Sequence, residues 1–211
     1  ERVIEKNESN QTTWKMPDSC PSCGNPLVVR GAHHFCRNFE CPAQVRGRLY
    51  FFAGKGQMDI DNLGPETLDT LISNGWIKRP EDIYTFDYDT LNGLPGFGEK
   101  KISLLKKGVE ESRNRPFHTV LPSLGLPELG PNVAELLIDA GYRDIESLYA
   151  AADENDVASL TAIPGIGEKT AAAVISEFKR PEVRKTIAAL RTEGLSFSET
   201  GEKETGDDRF A

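Results

Sequence analysis

The sequence predicts a mainly α fold, with a small four-cysteine module followed by a compact helical domain. Three observations carry this. All four cysteines fall between Cys20 and Cys41. Beyond Tyr50, apolar residues recur at helical spacing, with little of the alternation a strand would give. A short glycine-containing segment recurs four times, at intervals of 34, 32 and 37 residues, the span of a helix–turn–helix unit.

At 211 residues the chain is long enough for one or two domains and a core that needs no cross-links. No apolar run is long enough to suggest a membrane span, and there is no basic, apolar leader, so neither a membrane nor secretion is expected. The chain opens on Glu1, and its only methionines are Met16 and Met58, so we expect it to be a piece of a longer protein. Net charge is −8 with a pI near 5.0, which argues against a simple basic nucleic-acid binder. The charge is unevenly spread. Residues 199–211 hold five acids and two bases, whereas residues 20–50 hold four arginines and one acid, so the total describes no single surface.

The cysteines follow C-x2-C-x12-C-x4-C through Cys20, Cys23, Cys36 and Cys41. Two close pairs on facing turns suit four thiolates around one zinc ion. Gly24, after the second cysteine of "CPSCGNPL", is expected to turn the backbone tightly. Two disulfides are the alternative, disfavoured in a chain with no leader and no other cysteine. His33 and His34 lie just before Cys36, but four cysteines already close the site, so surface or strand-packing roles are expected for both. A closed site leaves no open coordination position, which makes the zinc structural rather than catalytic.

Among the repeats, "LPGFGEKKISLL" and "IPGIGEKTAAAV" match closely, while "DNLGPETLDTLI" and "PELGPNVAELLI" fit the same frame more weakly. Alignment on the last glycine superposes Gly64, Gly98, Gly130 and Gly167; Gly96 and Gly165 supply the earlier glycine, where the weaker copies have Asn62 and Glu128. Each copy runs into a helical pattern. Val174, Ile175 and Phe178 share a face in the last copy; Leu136, Leu137 and Ala140 do so in the third, with Gly141 as a C-terminal cap. "PEDIYTF" and "YRDIESLYAA" read as further short helices between repeats. Phe97 and Ile166 are expected to turn inward. Four positions after the aligned glycine stand Leu68, Ile102, Ala134 and Ala171, of which only the alanines look small enough for close helix packing.

A glycine hairpin that opens a helix aims free amides at its surroundings and forms an anion site without charged side chains. Lys100 and Lys169 stand where they would add a charge contact. A Walker loop fails, because Glu168 precedes Lys169-Thr170, and a dinucleotide fingerprint fails, because its third glycine and preceding strand are missing. Four copies favour a long repeating ligand, and the DNA backbone offers phosphates at regular spacing. The alternative is that the glycines only make tight turns. It weighs most on the first and third copies, which lack the first glycine, and in the third Glu128 would also repel phosphate. Arg46, Arg48, Lys55 and Lys106 are further candidates, read either as phosphate contacts or as solvated charges.

Together, "CPSCGNPL", "FFAGKGQMDIDNLG", "GLPGFGEKK", "PSLGLPELG" and "IPGIGEKTAAAV" resemble, in order and spacing, the C-terminal part of bacterial NAD-dependent DNA ligases: a zinc finger and tandem helix-hairpin-helix motifs, covering about residues 15–198. The resemblance implies a linker from an absent oligonucleotide-binding fold over 1–17, a zinc finger over 18–46, a DNA-binding hairpin domain over 47–198, and an acidic flexible tail toward an absent BRCT domain over 199–211. It implies that Cys20, Cys23, Cys36 and Cys41 bind structural zinc. It also implies that Asn62, Gly64, Gly96, Gly98, Lys100, Gly130, Gly165, Gly167 and Lys169 face nicked or duplex DNA. NAD and magnesium belong to the family's adenylation domain, whose K-x-D-G lysine motif does not occur here, so no catalytic residue is expected and the chain should be inactive alone. The implied setting is cytoplasmic, in replication and repair. Two other readings are a repair or recombination scaffold of another class and a protein-interaction module.

Overall fold

The computed structural model describes residues 15–199. The linker and tail expectations therefore lie outside the described residues, apart from 15–17 and Glu199. The fold is mainly helical, with ten α-helices and one two-stranded sheet among the described residues. It divides into two compact units, with the division between Val45 and Arg46.

The first unit contains β1 (Leu27–Arg30) and β2 (His33–Cys36), an antiparallel hairpin in which Leu27 pairs with Cys36 and Arg30 with His33. Gly31 has φ +60°, left-handed backbone that lets two residues reverse the chain. Helix α1 (Pro42–Ala53) begins right after Cys41, and the division between units falls inside it.

The second unit is a succession of short helices: α2 (Pro65–Ser73), α3 (Asp82–Thr85), α4 (Glu99–Ser112), α5 (Phe117–Ser123), α6 (Pro131–Asp139), α7 (Ile145–Glu154), α8 (Val157–Thr161), α9 (Glu168–Phe178) and α10 (Pro181–Thr192), with a 3-10 turn at Tyr88–Leu91. Helix α5 packs on α6, α4 on the 3-10 turn and α3, and α9 on α7, α8 and α10. The helices enclose fully buried Phe52, Phe117, Phe178, Leu49 and Met58. Three aromatics cluster: Trp76 stacks on Phe86 at 5.5 Å, and Phe86 meets Tyr88 edge-on at 5.1 Å. The Tyr84 and Tyr88 hydroxyls are buried but satisfied, by Ser112 Oγ at 3.1 Å and the Ile83 carbonyl at 3.0 Å. Desolvation pushes both phenols up, Tyr84 to about 12.

The segments "PEDIYTF" and "YRDIESLYAA" do form helices α3 and α7. The expected face of the third repeat needs correcting: Leu137 and Ile138 are buried, whereas Ala140 is exposed and ends α6, with Gly141 at φ +105° just beyond it. At 3.6 residues per turn, Ala140 falls about 200° round the helix from Ile138, away from the face buried by Ala134, Leu137 and Ile138. All four residues at the fourth position after the aligned glycine are buried, the large Leu68 and Ile102 as well as Ala134 and Ala171. Glu199 is held to the helical unit: its amide donates to the Arg143 carbonyl at 2.8 Å, and its carboxylate accepts from the His118 amide at 2.7 Å.

Candidate metal centre and nucleic-acid interface

In the first unit the chain brings all four cysteines together. The Cys20 amide donates to the Asn25 carbonyl and the Gly24 amide to the Cys20 carbonyl, both at 2.8 Å, with Gly24 at φ +72°. This turn points Cys20 and Cys23 the same way. The end of β2 supplies Cys36, and the turn before α1 supplies Cys41, whose amide donates to the Asn38 carbonyl at 3.0 Å. The Ala43 amide donates to Ser22 Oγ, and the Gln44 side-chain amide to the Cys36 carbonyl, which fixes the start of α1.

The four sulfurs lie within 4.8 Å of one another, with Cys20 to Cys41 at 3.8 Å and Cys23 to Cys36 at 3.5 Å, and all four cysteines are free thiols. A tetrahedron with metal–sulfur bonds of about 2.3 Å has edges of about 3.8 Å, so the set fits one metal ion of zinc's kind. Hydrogen bonding prepares it. The Asn25 amide brings the Cys23 thiol down to about 6, and the Gln44 amide likewise lowers Cys41. The Asn38 amide favours the Cys36 thiolate, but desolvation and the neighbouring sulfurs outweigh it and push that thiol up to about 12. A cation held by the four sulfurs would remove the conflict by neutralising the crowded thiolates. His33 and His34 sit on β2 outside the cluster. His33 packs its ring edge-on to Phe35 at 6.1 Å.

In the second unit the four repeats fold into the same object. At the first glycine position φ is +82° for Gly96 and +94° for Gly165, and also +65° for Asn62 and +62° for Glu128. The left-handed step belongs to the hairpin and is imposed even where a side chain must bear it. The next residue is buried in every copy: Leu63, Phe97, Leu129 and Ile166. Its amide donates back three residues, to Ile60 at 3.2 Å, Leu94 at 3.1 Å, Leu126 at 3.1 Å and Ile163 at 3.0 Å.

Gly64, Gly98, Gly130 and Gly167 then stand at the N-caps of α2, α4, α6 and α9 with φ between −85° and −77°, and none of the four helix starts has a side-chain cap. This is extended backbone that any residue adopts. A Cβ built at any of these positions meets nothing within 4 Å, and all four glycines are exposed. The internal fold therefore has no need of glycine here, and Ser, Asp or Asn would cap better. Glycine instead leaves the first-turn amides bare toward solvent. Pro65 and Pro131 open α2 and α6 and carry no N–H, whereas Glu99 and Glu168 open α4 and α9 and do. The second and fourth hairpins thus present one more donor each.

Lys100 is exposed at the start of α4, and Lys169 reaches across to Glu128, with Nζ to Oε1 at 2.7 Å. Lys101, not among the residues the sequence singles out as contacts, lies over the Phe97 ring at 4.1 Å. Arg46 pairs with Asp69 at 2.7 Å and Lys106 with Asp89 at 2.5 Å. No described helix is long and apolar enough to cross a membrane.

Two tandem stretches, residues 58–111 and 122–180, match the SAM-like helix-hairpin-helix tandem family, and the chain belongs to it. Curated relatives that it resembles over most of its length are DNA ligases. The chain is 38% identical over 180 residues to a DNA ligase of Borrelia duttonii, covering 84% of this chain and 27% of the relative. To that of Leptospira biflexa it is 36% identical over 192 residues, 89% of this chain and 29% of the relative. To that of Roseiflexus sp. it is 34% identical over 197 residues, 92% of this chain and 26% of the relative. The chain therefore spans little more than a quarter of the length of these relatives.

Proposed function

We propose that the chain is the non-catalytic, DNA-binding portion of an NAD-dependent DNA ligase, and that it grips the backbone of nicked or plain duplex without reading sequence. The observation that carries this is the glycine at four helix caps where the fold has no use for one. A missing Cβ at an exposed, uncapped helix start lets another backbone approach the amides, and phosphate oxygens are the acceptors that bare amides suit. Two tandem matches to one helix-hairpin-helix family and the likeness to DNA ligases support the same reading.

In this reading Gly64, Gly98, Gly130 and Gly167 give the amides, Asn62, Gly96 and Gly165 shape the loops, and Lys100 and Lys169 add charge. The four thiolates hold zinc as a structural joint, with residues 18–46 as the finger and 47–198 as the hairpin domain. The partners are the adenylation, oligonucleotide-binding and BRCT domains of one longer polypeptide. NAD, magnesium and the nick-sealing chemistry belong to the adenylation domain. The setting is the cytoplasm, in replication and repair.

The test is fluorescence anisotropy with a labelled duplex of arbitrary sequence, nicked and intact, across a salt series. Binding to both, with a shallow salt dependence because few cations take part, is expected. No binding at low salt would overturn the reading.

A further inference from the structure

Helix α4 serves two hairpins. Its N-terminus, capped by Gly98, forms the second hairpin. Farther along, Gly108 lies against the first: a Cβ there would stand 2.1 Å from the Asp61 carbonyl oxygen, closer than any atom can. Just past the helix, Arg115 reaches the same loop. Its Nε donates to the Met58 carbonyl at 3.0 Å, one terminal nitrogen donates to the Asp59 carbonyl at 3.1 Å, and that nitrogen lies 3.5 Å from the Asp59 carboxylate. The loop they brace takes left-handed backbone at Asp59, φ +47°, and Asn62, φ +65°. An irregular loop of this kind keeps one conformation only where surrounding contacts hold it.

We infer that Gly108 and Arg115 are positioning residues for DNA binding: they hold the first hairpin in its gripping conformation and, through α4, at a fixed separation from the second. Ten residues of helix separate Gly98 from Gly108, about 15 Å of rigid rod between the two grips. One edge of the guanidinium, Nε and a terminal nitrogen, is turned onto loop carbonyls, so Arg115 acts through the hairpin rather than through a phosphate. The inference rests on the proposed DNA-binding function.

The experiment is a double-mutant cycle on the 211-residue chain, read by anisotropy on labelled duplex. Arg115→Ala is expected to weaken binding about threefold with an unchanged salt slope, since no phosphate contact is lost. In a Gly64→Glu background, where the first hairpin is already blocked, Arg115→Ala is expected to have no further effect. In a Gly167→Glu background the full effect remains. Arg115→Lys, which lacks the fork, restores at most part of the affinity. Hydrogen exchange at the Leu63 amide is expected to speed up in Arg115→Ala while helix α9 amides stay protected. Equal effects in both backgrounds, a shallower salt slope, or unchanged exchange at Leu63 would each overturn the inference. A parent chain that binds no duplex would instead remove the functional reading on which it rests, and the inference with it.

Discussion

Lys169 Nζ lies 2.7 Å from Glu128 Oε1, which ties the loop of the third hairpin to the helix start of the fourth. The acid that looked hostile to phosphate and the base that looked poised for it are partners. The lysine side chain is 85% exposed, so the pair adds little to stability, about 0–1 kcal/mol. Its effect falls on binding. Glu128→Gln removes the acid and frees the lysine, and is expected to tighten duplex binding about threefold while barely moving the thermal midpoint. Lys169→Ala leaves the carboxylate unpaired beside the DNA and weakens binding. Anisotropy titrations check both, and weaker binding by Glu128→Gln would contradict this account.

The cap glycines separate folding from binding. Gly98→Glu and Gly167→Glu place a carboxylate in open space on backbone that tolerates it, so circular dichroism and melting are expected to match the parent. Duplex affinity is expected to fall about tenfold or more, as a blocked backbone grip requires. Gly64→Glu and Gly130→Glu are expected to lose less, because Pro65 and Pro131 already remove one amide from those hairpins. Equal losses at all four sites would show that the extra amide does not matter.

The left-handed step gives a stability contrast. Glu128→Gly relieves a side chain held at φ +62° and is expected to stabilise by about 1 kcal/mol in denaturant unfolding. Asn62→Gly, at φ +65°, is expected to be nearly neutral, since asparagine tolerates this region. Gly165→Ala is expected to destabilise more than Gly96→Ala: the conformation is shared, but a Cβ at Gly165 stands 2.9 Å from Leu136 Cδ1 while one at Gly96 meets nothing.

Metal analysis is expected to find one zinc per chain. Replacing any of Cys20, Cys23, Cys36 or Cys41 by serine is expected to abolish stoichiometric binding, and chelation to increase hydrogen exchange across residues 20–41 while the hairpin helices keep their protection. Disulfides found by mass spectrometry in the unreduced protein would refute the site.

Asp156 caps α8, the first helix of the fourth hairpin, by accepting from the Ser159 amide at 3.0 Å. Its hydrogen bonds to the Ser159 side chain and amide hold its carboxyl below the usual carboxylate range. A lowered folded-state pKa contributes stability above the unfolded value and loses it as pH falls through the folded one. Asp156→Ala is therefore expected to lower the melting midpoint at pH 7, with the gap narrowing below about pH 4. Asp156→Asn, a neutral cap, is expected to keep most of the midpoint at pH 7. A pH-independent gap would place the contribution outside the carboxylate's charge.

The sequence by itself determined the local chemistry. The spacing from Cys20 to Cys41 predicted four thiols that converge, and they do, because two short turns suffice to bring them together. The repeat around Gly98 and Gly167 predicted hairpins and their buried apolar residue, since turn conformation and helix start are set within a few residues. Tertiary structure decided what sequence spacing does not carry. Glu128 adopts the glycine conformation because packing around Leu129 outweighs about 1–2 kcal/mol of backbone strain, while Asn62 does so at little cost. Lys169 meets Glu128 across 41 residues, and Arg115 reaches Met58 across 57. Such pairs depend on where whole helices come to rest, and that follows from filling a common core rather than from any local pattern.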